Sequence, residues 1–283
     1  MSEASPIGID EYRRLCEYLY RRTGMPFTEA RRYFVERRVV ERMAQTGAVS
    51  FASYFARLRG DLDGEIEKLI NALTVNETYF YREDYQLACL TSDLLRERLK
   101  VKPRGEAVRI WSMPCSTGEE PYSIALWLLE NWPQVDAHDV EIVGSDIDTK
   151  VLEAAREGLY GKRALMRLTP ALIEKYFTAE GPDSWRILDD LRQSVRFTSA
   201  NLVEREQMRP QGLFDVIFCR NVLIYFDDAS RRVAAENLYE NLAPGGYICL
   251  GHTESMSRIS PLFEVCRFAD AIVYRKPPGG SHG

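Results

Sequence analysis

The chain has 283 residues, of which 45% are hydrophobic and 28% charged, and its formal net charge is −5 at pH 7. This length favours two domains, or one domain with an appendage, and the acidic balance argues against non-specific binding of nucleic acid. No apolar run approaches the ~20 residues of a membrane-spanning helix, and the N-terminus lacks the features of a secretory signal. We therefore expect a cytoplasmic protein that neither inserts into a membrane nor binds nucleic acid.

The cysteines and histidines indicate no metal site. Six cysteines are scattered without a C-x-x-C pair, and the chain has only three histidines. Their spacing does not match a zinc site, and free cysteines within apolar runs are expected to be buried and reduced. We predict no bound metal.

The first 75 residues show helical periodicity and no strand pattern. Apolar residues recur at helical spacing from Ile9, and Gly24 predicts the end of that helix. Three more helices are expected, at about 28–45, 51–58 and 66–73. This part of the chain is therefore predicted to be a small all-helical domain over residues 1–75.

The second of these helices is rich in arginine. Nine arginines and four acidic residues lie between Arg13 and Arg42, which leaves a local charge of about +5 in an acidic chain. Arg31, Arg38 and Arg42 follow the spacing i, i+7, i+11 and are expected to share a helical face. A solvated face with Glu–Arg pairs explains this pattern. The alternative is a landing surface for an acidic partner, either a carboxylate-rich helix or a phosphate backbone.

A polar and aromatic linker follows the helical domain, and with the next helix it covers residues 76–103. The stretch TVNETYFYRE, which ends at Glu83, has three consecutive aromatic residues followed by Arg82. Its Asn and Thr residues could simply cap the helix that we expect at about 84–99. A ligand-facing linker would use the same residue types, so both interpretations stay open.

From residue 104 to 283 strands and helices alternate. Apolar strands such as FDVIFC and YICL are typical of a parallel sheet that is buried on both faces. We predict an α/β domain with a doubly wound, mostly parallel sheet, whose ligand lies beyond the carboxyl ends of the strands. A small antiparallel β insertion is expected over about 160–195. Strands are predicted at 108–112, 140–146, 195–200, 214–219, 246–250 and 271–276, with helices at about 120–131, 149–157, 170–177 and 228–242.

The stretch VRIWSMPCSTGEEPYS, which begins at Val108, has the form of a cofactor-binding turn. An apolar strand leads into a turn with one glycine, Gly118, and then into a helix whose first backbone amides face a ligand. Glu119 and Glu120 follow where negative charge would repel a pyrophosphate. The same charge suits a cationic group on the ligand.

Two nucleotide-like cofactors compete for this turn. A dinucleotide site needs G-x-G-x-x-G and an acidic residue about 20 residues later, whereas here Asp146 follows 28 residues after Gly118. A carboxylate at the end of the second strand still suits a ribose diol. S-adenosylmethionine has a ribose, no phosphate and a cationic amino-acid end, so it fits better than a nicotinamide dinucleotide. A purely structural acid remains the alternative at each position.

Five motifs, in order along the chain, resemble one family. They are similar to those of the chemotaxis receptor methyltransferases, the CheR family of S-adenosylmethionine-dependent protein-glutamate O-methyltransferases. The resemblance extends from about Ile9 to Lys276 and implies the Rossmann-like fold of class I methyltransferases. The motifs are INALTVNETYFYRE, IWSMPCSTGEEPYSIA, GSDIDTKVLEAAREGLY, FDVIFCRNVLIYFD and LAPGGYICLGHTES.

The resemblance also implies roles for individual residues. Glu120 would bind the methionine end of the cofactor, which agrees with the charge argument, and Asp146 would hold the ribose hydroxyls. Arg82 and Tyr225 would lie beside the transferable methyl group as catalytic residues. The other implied cofactor contacts are Asn76, Thr78, Asn201, Leu202, Arg220 and Asn221, of which Asn201 and Leu202 would flank the adenine.

The implied reaction is the attack of a glutamate side-chain oxygen on the sulfonium methyl group, with S-adenosylhomocysteine as the product. A glutamate carboxyl group has a reference pKa of ~4.3 and is ionised near pH 7, so no strong base is needed. The enzyme would contribute positioning and desolvation. Because the family's substrates are glutamates on the cytoplasmic helices of chemoreceptors, Arg31, Arg38 and Arg42 are expected to meet an acidic receptor surface.

One motif departs from part of the family. Some members hold a C-terminal receptor pentapeptide with the small inserted sheet, and the corresponding turn here, TAEGPDSWR, is about three residues shorter. The resemblance therefore predicts no pentapeptide tether. Two other functions stay open, a methyltransferase of this fold for another protein or a small molecule and a non-catalytic adaptor. The Cys219–Val222 segment lacks the Pro-Pro motif of DNA amino-methyltransferases, whereas intact Arg82 and Tyr225 argue against a dead site.

Overall fold

The computed structural model describes residues 7–279. The predicted domain ranges also include residues 1–6 and 280–283, which lie outside the described residues, as does His282. Across residues 7–279, no helix has both the length and the apolar character required to cross a membrane.

The described chain forms two compact units. The first contains the residues up to Val75 together with Tyr225–Ser230. The second contains Asn76–Ile224 and the residues from Arg231 onward. The linker after Val75 thus belongs to the second unit, and a short segment that is distant in sequence belongs to the first.

Residues 7–75 of the first unit form four α-helices. Tyr12, Leu19, Val39 and Tyr54 are fully buried, so the apolar residues that recur at helical spacing form its core. Gly24 ends the first helix in a left-handed conformation with a φ of +71°, as its position in the sequence predicts. The helices are α1 (Ile9–Thr23), α2 (Arg32–Thr46), α3 (Phe51–Arg59) and α4 (Glu65–Leu73).

Helix α2 begins at Arg32 and not near Thr28, where the sequence pattern places its start. The preceding residues, Glu29–Arg31, form a 3₁₀ turn, and Arg31 has φ and ψ angles of −98° and 8°, which are not those of an α-helix. Arg31 therefore lies before α2, and the continuous helical face predicted for the three arginines holds only for Arg38 and Arg42.

Up to residue 279, where the description of the structure ends, the second unit contains ten strands. Seven of them form a mostly parallel sheet, and this finding confirms the predicted α/β fold class. They are β1 (Val108–Ser112), β2 (Val140–Asp146), β3 (Leu159–Gly161), β4 (Phe177–Gly181), β5 (Ser184–Ile187), β6 (Val195–Ser199), β7 (Phe214–Cys219), β8 (Leu242–Leu250), β9 (Glu264–Arg267) and β10 (Ile272–Arg275).

The large sheet has the order β6-β2-β1-β7-β8-β10-β9. Strand β1 pairs in parallel with β2 and β7, and β10 runs antiparallel to β8 and β9. All six residues of β7 are buried, as expected for a central strand that is covered on both faces. The remaining strands form the order β3-β5-β4, which is the predicted small antiparallel insertion.

Helices of the second unit fill the connections between these strands. The predicted helix at 84–99 is interrupted by a π-helical turn, Leu90–Leu94, that the sequence pattern does not reveal. The helices are α5 (Asp84–Cys89), α6 (Leu95–Val101), α7 (Glu119–Asn131), α8 (Thr149–Glu157), α9 (Lys162–Leu165), α10 (Pro170–Tyr176), α11 (Asp189–Ser194), α12 (Arg205–Met208) and α13 (Asp228–Glu240).

A buried carboxylate near the amino end of β7 connects the sheet to α6. Asp215 is 1% exposed and accepts hydrogen bonds from Arg98 at 2.9 Å and from Lys102 at 2.9 Å. Its second oxygen also accepts the backbone N–H of Arg109 at 2.9 Å. Two cations and a backbone N–H satisfy this buried carboxylate, so we assign Asp215 to stability, at the end of the sheet away from the candidate site.

Candidate active site

The candidate site lies at the carboxyl ends of β1, β2 and β7. Because β1 pairs with β2 on one side and with β7 on the other, the loops that follow these strands are neighbours. The loop after β1 turns at Ser116 and Gly118, whose φ angles are +49° and +93°. A Cβ atom at Gly118 would lie 2.9 Å from the Cβ of Ala155, so the close approach of this loop to α8 requires glycine.

Two carboxylates share one arginine at the centre of the site. Arg220, whose side chain is 3% exposed, lies 3.0 Å from Glu120 and 3.4 Å from Glu83. Ser112 donates a further hydrogen bond to Glu120 at 2.8 Å. Burial raises the pKa of Glu120, whereas Arg220 opposes this shift. When both carboxylates are ionised, the three side chains carry one excess negative charge, which fits a cationic ligand group.

Glu83 is held from two sides. Burial acts to raise its pKa, but Arg220 and His252 together keep the pKa of Glu83 below its ordinary value. The imidazole Nδ1 of His252 lies 3.1 Å from the carboxylate, and His252 is mostly exposed. Glu83 thus remains ionised and lies next to one terminal nitrogen of the Arg220 guanidinium, whereas Glu120 lies next to the other.

Glu119 has surroundings different from those of Glu120. It is 4% exposed and accepts a hydrogen bond from the Thr117 hydroxyl at 2.6 Å. Burial raises the pKa of Glu119. This environment is that of a local structural acid in the first turn of α7.

Asp146, at the end of β2, holds the loop that follows β1. Its carboxylate accepts the backbone N–H of Ser116 at 2.9 Å and that of Asp148 at 3.0 Å. Burial raises the pKa of Asp146 to about 6, although these backbone hydrogen bonds act in the opposite direction. The residue is 3% exposed and lies at the carboxyl end of β2.

Asp148 brings Asn76 to the same edge of the sheet. One oxygen of Asp148 caps α8 by accepting the backbone N–H of Lys150 at 3.0 Å and that of Val151 at 3.2 Å. Its other oxygen accepts a hydrogen bond from the Asn76 side chain at 2.9 Å. Asp148 therefore joins the linker to the loop after β2.

Arg82 and Thr78 belong to the same linker. The Arg82 guanidinium donates to the carbonyl of Glu77 at 2.6 Å and lies 5.8 Å from the ring centre of Tyr79. Arg220 donates to the backbone carbonyl of Arg82 at 2.6 Å. Arg82 thus lies next to the central cluster, and Thr78 is half-buried four residues before it.

The remaining predicted cofactor contacts follow β6 and β7. Asn201 and Leu202 are buried, and Asn201 accepts the backbone N–H of Val203 at 3.2 Å. Asn221 has a φ of +58°, and its backbone N–H donates to Glu254 at 2.8 Å. These residues lie at the ends of the strands that flank the predicted cleft.

Tyr225 and the three arginines of the predicted receptor surface belong to the first unit. The guanidinium of Arg31 lies 5.8 Å from the ring centre of Tyr225, and Arg38 donates to the exposed Glu41 at 3.1 Å. Arg42 instead binds Glu65, which is 1% exposed, through two hydrogen bonds of 2.8 and 2.5 Å. Arg42 is therefore engaged inside the unit, whereas Arg31 is exposed.

Three residues of the site are missed by the sequence analysis: Glu83, Asp148 and Glu254. Asp148 could be found from its place before Thr149 at a helix start, because aspartate is a preferred N-cap. Glu83 and Glu254 lie within the motifs that carry the family resemblance, but no local pattern reveals their partners.

Comparisons with known proteins match the same family over most of the chain. Residues 76–272 match the family model described as CheR methyltransferase, SAM binding domain, and residues 10–74 match the CheR methyltransferase, all-alpha domain. Chemotaxis protein methyltransferase 2 of Vibrio cholerae is 49% identical over 271 residues, which cover 95% of this chain and 94% of that protein. The chemotaxis protein methyltransferase of Escherichia coli is 34% identical, with coverages of 93% and 90%.

A solved structure of the N-methyltransferase NodS from Bradyrhizobium japonicum with S-adenosylhomocysteine is 16% identical, with a TM-score of 0.40, and covers 73% of this chain and 92% of that one. The family models and the relatives cover the helical and the α/β parts alike. The chain belongs to the CheR methyltransferase family and is an S-adenosylmethionine-dependent methyltransferase of chemotaxis.

Proposed function

We propose that this enzyme transfers the methyl group of S-adenosylmethionine to glutamate side chains on the cytoplasmic helices of chemoreceptors, giving glutamate methyl esters. The observation that carries the choice of acceptor is Arg82. Its backbone carbonyl accepts a hydrogen bond from Arg220 at 2.6 Å, so this cationic residue lies next to the proposed methionine site. A carboxylate acceptor would be drawn to this cation and is already ionised near pH 7.

The cofactor supplies a methyl group on a sulfonium, and the chain supplies the groups that hold it. Glu120 binds the ammonium of the methionine end, because its cluster with Glu83 and Arg220 has one uncompensated negative charge. The buried Nε of Arg220 has no hydrogen-bond partner among the described residues and can donate to the methionine carboxylate. Asp146 accepts from the ribose hydroxyls. Asn76, Thr78, Asn201, Leu202 and Asn221 complete the proposed cofactor site.

Asp146 makes cofactor affinity dependent on pH. With a pKa of about 6, this carboxyl group is mostly protonated at pH 5 and mostly ionised at pH 7, and only the ionised form accepts from both hydroxyls. We expect the affinity for S-adenosylhomocysteine to fall about tenfold from pH 7 to pH 5. Ionisation of Glu120 contributes in the same direction. Titration calorimetry at each pH measures this, and a wild-type affinity that stays constant over this interval contradicts it.

Arg82 and Tyr225 are the proposed catalytic residues. Arg82 orients the attacking carboxylate, and Tyr225, which enters from the family resemblance, shapes the methyl site. Arg82→Ala and Tyr225→Phe should each lower kcat about 10- to 100-fold, because a misplaced acceptor loses the alignment required for displacement. Initial rates at saturating receptor and cofactor test this. Arg163→Ala, which removes an exposed partner of Glu77, is the control and should leave kcat unchanged. Full turnover in both site variants would exclude these roles.

The proposed receptor surface is the arginine-rich part of the first unit. Arg31 and Arg38 are the members that face an acidic partner, because Arg31 is exposed and the ion pair of Arg38 is with an exposed residue, Glu41. Arg42 contributes by positioning α2 through Glu65. Charge complementarity of this kind changes the KM for the receptor and its dependence on salt more than it changes kcat.

We also propose that no pentapeptide tether is used. The hairpin between β4 and β5 is short, with Gly181 and Ser184 paired on either side of the turn. Calorimetry with a receptor C-terminal pentapeptide should detect no binding. A micromolar dissociation constant would overturn this part of the proposal.

The experiment that tests the proposed function uses methyl-labelled S-adenosylmethionine and receptor cytoplasmic fragments. Incorporated label should be released as volatile methanol by mild base, because carboxyl methyl esters are hydrolysed under these conditions. A fragment with its candidate glutamates replaced by alanine is the matched control. Base-stable label, or transfer only to other proteins or small molecules, favours the alternative of a methyltransferase of this fold with another substrate.

A further inference from the structure

We infer that Glu254 is a positioning residue whose carboxylate fixes the backbone after β7 and thereby sets the place of Arg220 and Asn221. One oxygen accepts the N–H of Asn221 at 2.8 Å and that of Gly251 at 2.9 Å. The other accepts the N–H groups of three consecutive residues, Val222, Leu223 and Ile224, at 3.0, 2.7 and 3.3 Å. One side chain thus receives five backbone hydrogen bonds.

This geometry explains how the loop after β7 keeps an uncommon conformation. Asn221 has a φ of +58°, which is costly for a residue with a side chain unless its surroundings hold it. The following residues, Leu223–Tyr225, form a 3₁₀ turn, and the backbone amides at and before its start would otherwise have no partners within the turn. A negative charge close to these amides stabilises them more than a neutral acceptor would.

The segment that carries Glu254 is itself packed tightly against the loop. A Cβ atom at Gly251 would lie 2.7 Å from the Asn221 side-chain nitrogen and 2.9 Å from the Glu254 carboxylate. It would also lie 3.0 Å from the backbone nitrogen of Asn221, so a larger residue here would press against the loop. The GHTES motif therefore has a structural role. Its glycine leaves room for the loop after β7, and the glutamate three residues later accepts hydrogen bonds from the backbone of that loop.

The inference deepens the proposed function, on which it rests for the roles of Arg220 and Asn221 in the cofactor site. Arg220 directly precedes the loop and bridges Glu120 and Glu83. If residues 221–224 change conformation, the Arg220 bridge and the Asn221 side chain move together. Loss of the Glu254 charge should therefore weaken cofactor binding, although Glu254 is not proposed to touch the cofactor.

The test is Glu254→Gln, studied by calorimetry with S-adenosylhomocysteine. The amide has nearly the same shape, but its NH₂ group would face backbone N–H donors and its charge is lost. We expect the dissociation constant to rise about tenfold or more in protein that is folded by circular dichroism. A dissociation constant equal to that of the wild type in folded Glu254→Gln protein would overturn the inference.

Asp215→Asn is the matched control for a merely structural role. Asp215 is a buried carboxylate that, like Glu254, accepts a backbone N–H, but it lies near the amino end of β7. This variant should lower the midpoint of thermal unfolding and leave the dissociation constant unchanged. Equal weakening of binding in both variants would mean that global destabilisation is the cause, and the positioning role would be rejected.

A shorter acid provides the second variant in case glutamine prevents folding. Glu254→Asp keeps the charge but cannot reach both sets of amides, so we expect a smaller rise in the dissociation constant. Unchanged binding in folded Glu254→Asp, together with a Glu254→Gln variant that does not fold, would count against the inference. These measurements need no receptor, so a failure of wild-type protein to methylate receptor glutamates would overturn the proposed function and leave this comparison intact.

Discussion

Replacing Glu120 with glutamine should weaken the binding of S-adenosylhomocysteine about 100-fold, which corresponds to ~3 kcal/mol, because it leaves a buried ammonium without its anion. The substitution keeps the size of the side chain and the acceptor for the Ser112 hydroxyl. It removes the negative charge that exceeds what Arg220 can compensate. Calorimetry with the purified variant measures this loss directly, and turnover at low cofactor concentration should fall in parallel.

The size of this effect follows from the charges in the cluster. In the wild type, Glu83 and Glu120 share Arg220, so one carboxylate charge is left to pair with the ammonium of the methionine end. In Glu120→Gln, Glu83 alone neutralises Arg220, so the ammonium has no protein carboxylate left to pair with. Such a charge is expensive to desolvate.

The neighbouring glutamate provides a matched control. Glu119→Gln changes the same chemical group one residue earlier in α7, where the hydrogen-bond partner is Thr117 and not Arg220. It should leave the affinity for S-adenosylhomocysteine nearly unchanged. If both variants lose affinity equally, damage to the start of α7 explains the result and the ammonium site is excluded.

A truncated ligand separates the methionine end from the nucleoside. 5′-Methylthioadenosine contains the same nucleoside and thioether but lacks the amino and carboxyl groups. Glu120→Gln should therefore bind this compound as the wild type does. An equal loss for the truncated compound and for S-adenosylhomocysteine would place Glu120 elsewhere in the site.

The apolar strands of the large sheet could be predicted because burial on both faces leaves a continuous hydrophobic run. β1, β2 and β7 have the predicted bounds. β9 could not be predicted, because this edge strand, Glu264–Arg267, has four residues and three of them are exposed. Its strand conformation depends on pairing with β10, and a pattern that reflects burial cannot reveal such pairing.

The residues of the candidate site also differ in whether they can be predicted from the sequence. Glu120 and Asp146 could be proposed from the sequence, since a strand followed by a turn and a helix fixes where their charges lie relative to a ligand. Asp148 and Glu254 act through partners that are 72 and 33 residues away, Asn76 and Asn221. The Glu254–Asn221 pair forms because β7 and β8, which precede these two residues, are neighbours, and the Asn76–Asp148 pair forms where the linker meets the loop after β2. Local spacing contains no information about them.

For Arg42, the sequence spacing and the structure predict different roles, and the two roles call for different experiments. Spacing alone groups it with Arg31 and Arg38 as a surface for an acidic partner. In the structure it holds the carboxylate of Glu65, which is 1% exposed and also accepts a hydrogen bond from the Tyr54 hydroxyl at 2.8 Å. Reversing its charge would therefore place two carboxylates together in the helical unit.

Arg42→Ala should destabilise the helical unit by about 2–3 kcal/mol, because it leaves a buried carboxylate without its cation. Hydrogen exchange of backbone amides in α2 and α4 measures the loss where it occurs, and urea unfolding followed by circular dichroism gives the free energy. Arg38→Ala is the control. Its partner Glu41 is exposed, so stability should hardly change, while the KM for the receptor should rise.

The pH dependence of Arg42→Ala identifies Glu65 as the cause. Burial alone acts to raise the pKa of Glu65, but Arg42 and Tyr54 hold it below its ordinary value in the wild type. A lowered pKa gives stability that is present above the unfolded-state pKa and is lost as pH falls through the folded-state pKa. Without Arg42, burial dominates and raises the pKa of Glu65. Protonation of Glu65 at low pH then removes the unpaired buried charge and reduces the destabilisation of the variant. The difference in stability between the two proteins should therefore shrink as pH falls toward 4, and a constant difference would mean that Arg42 acts through some other contact.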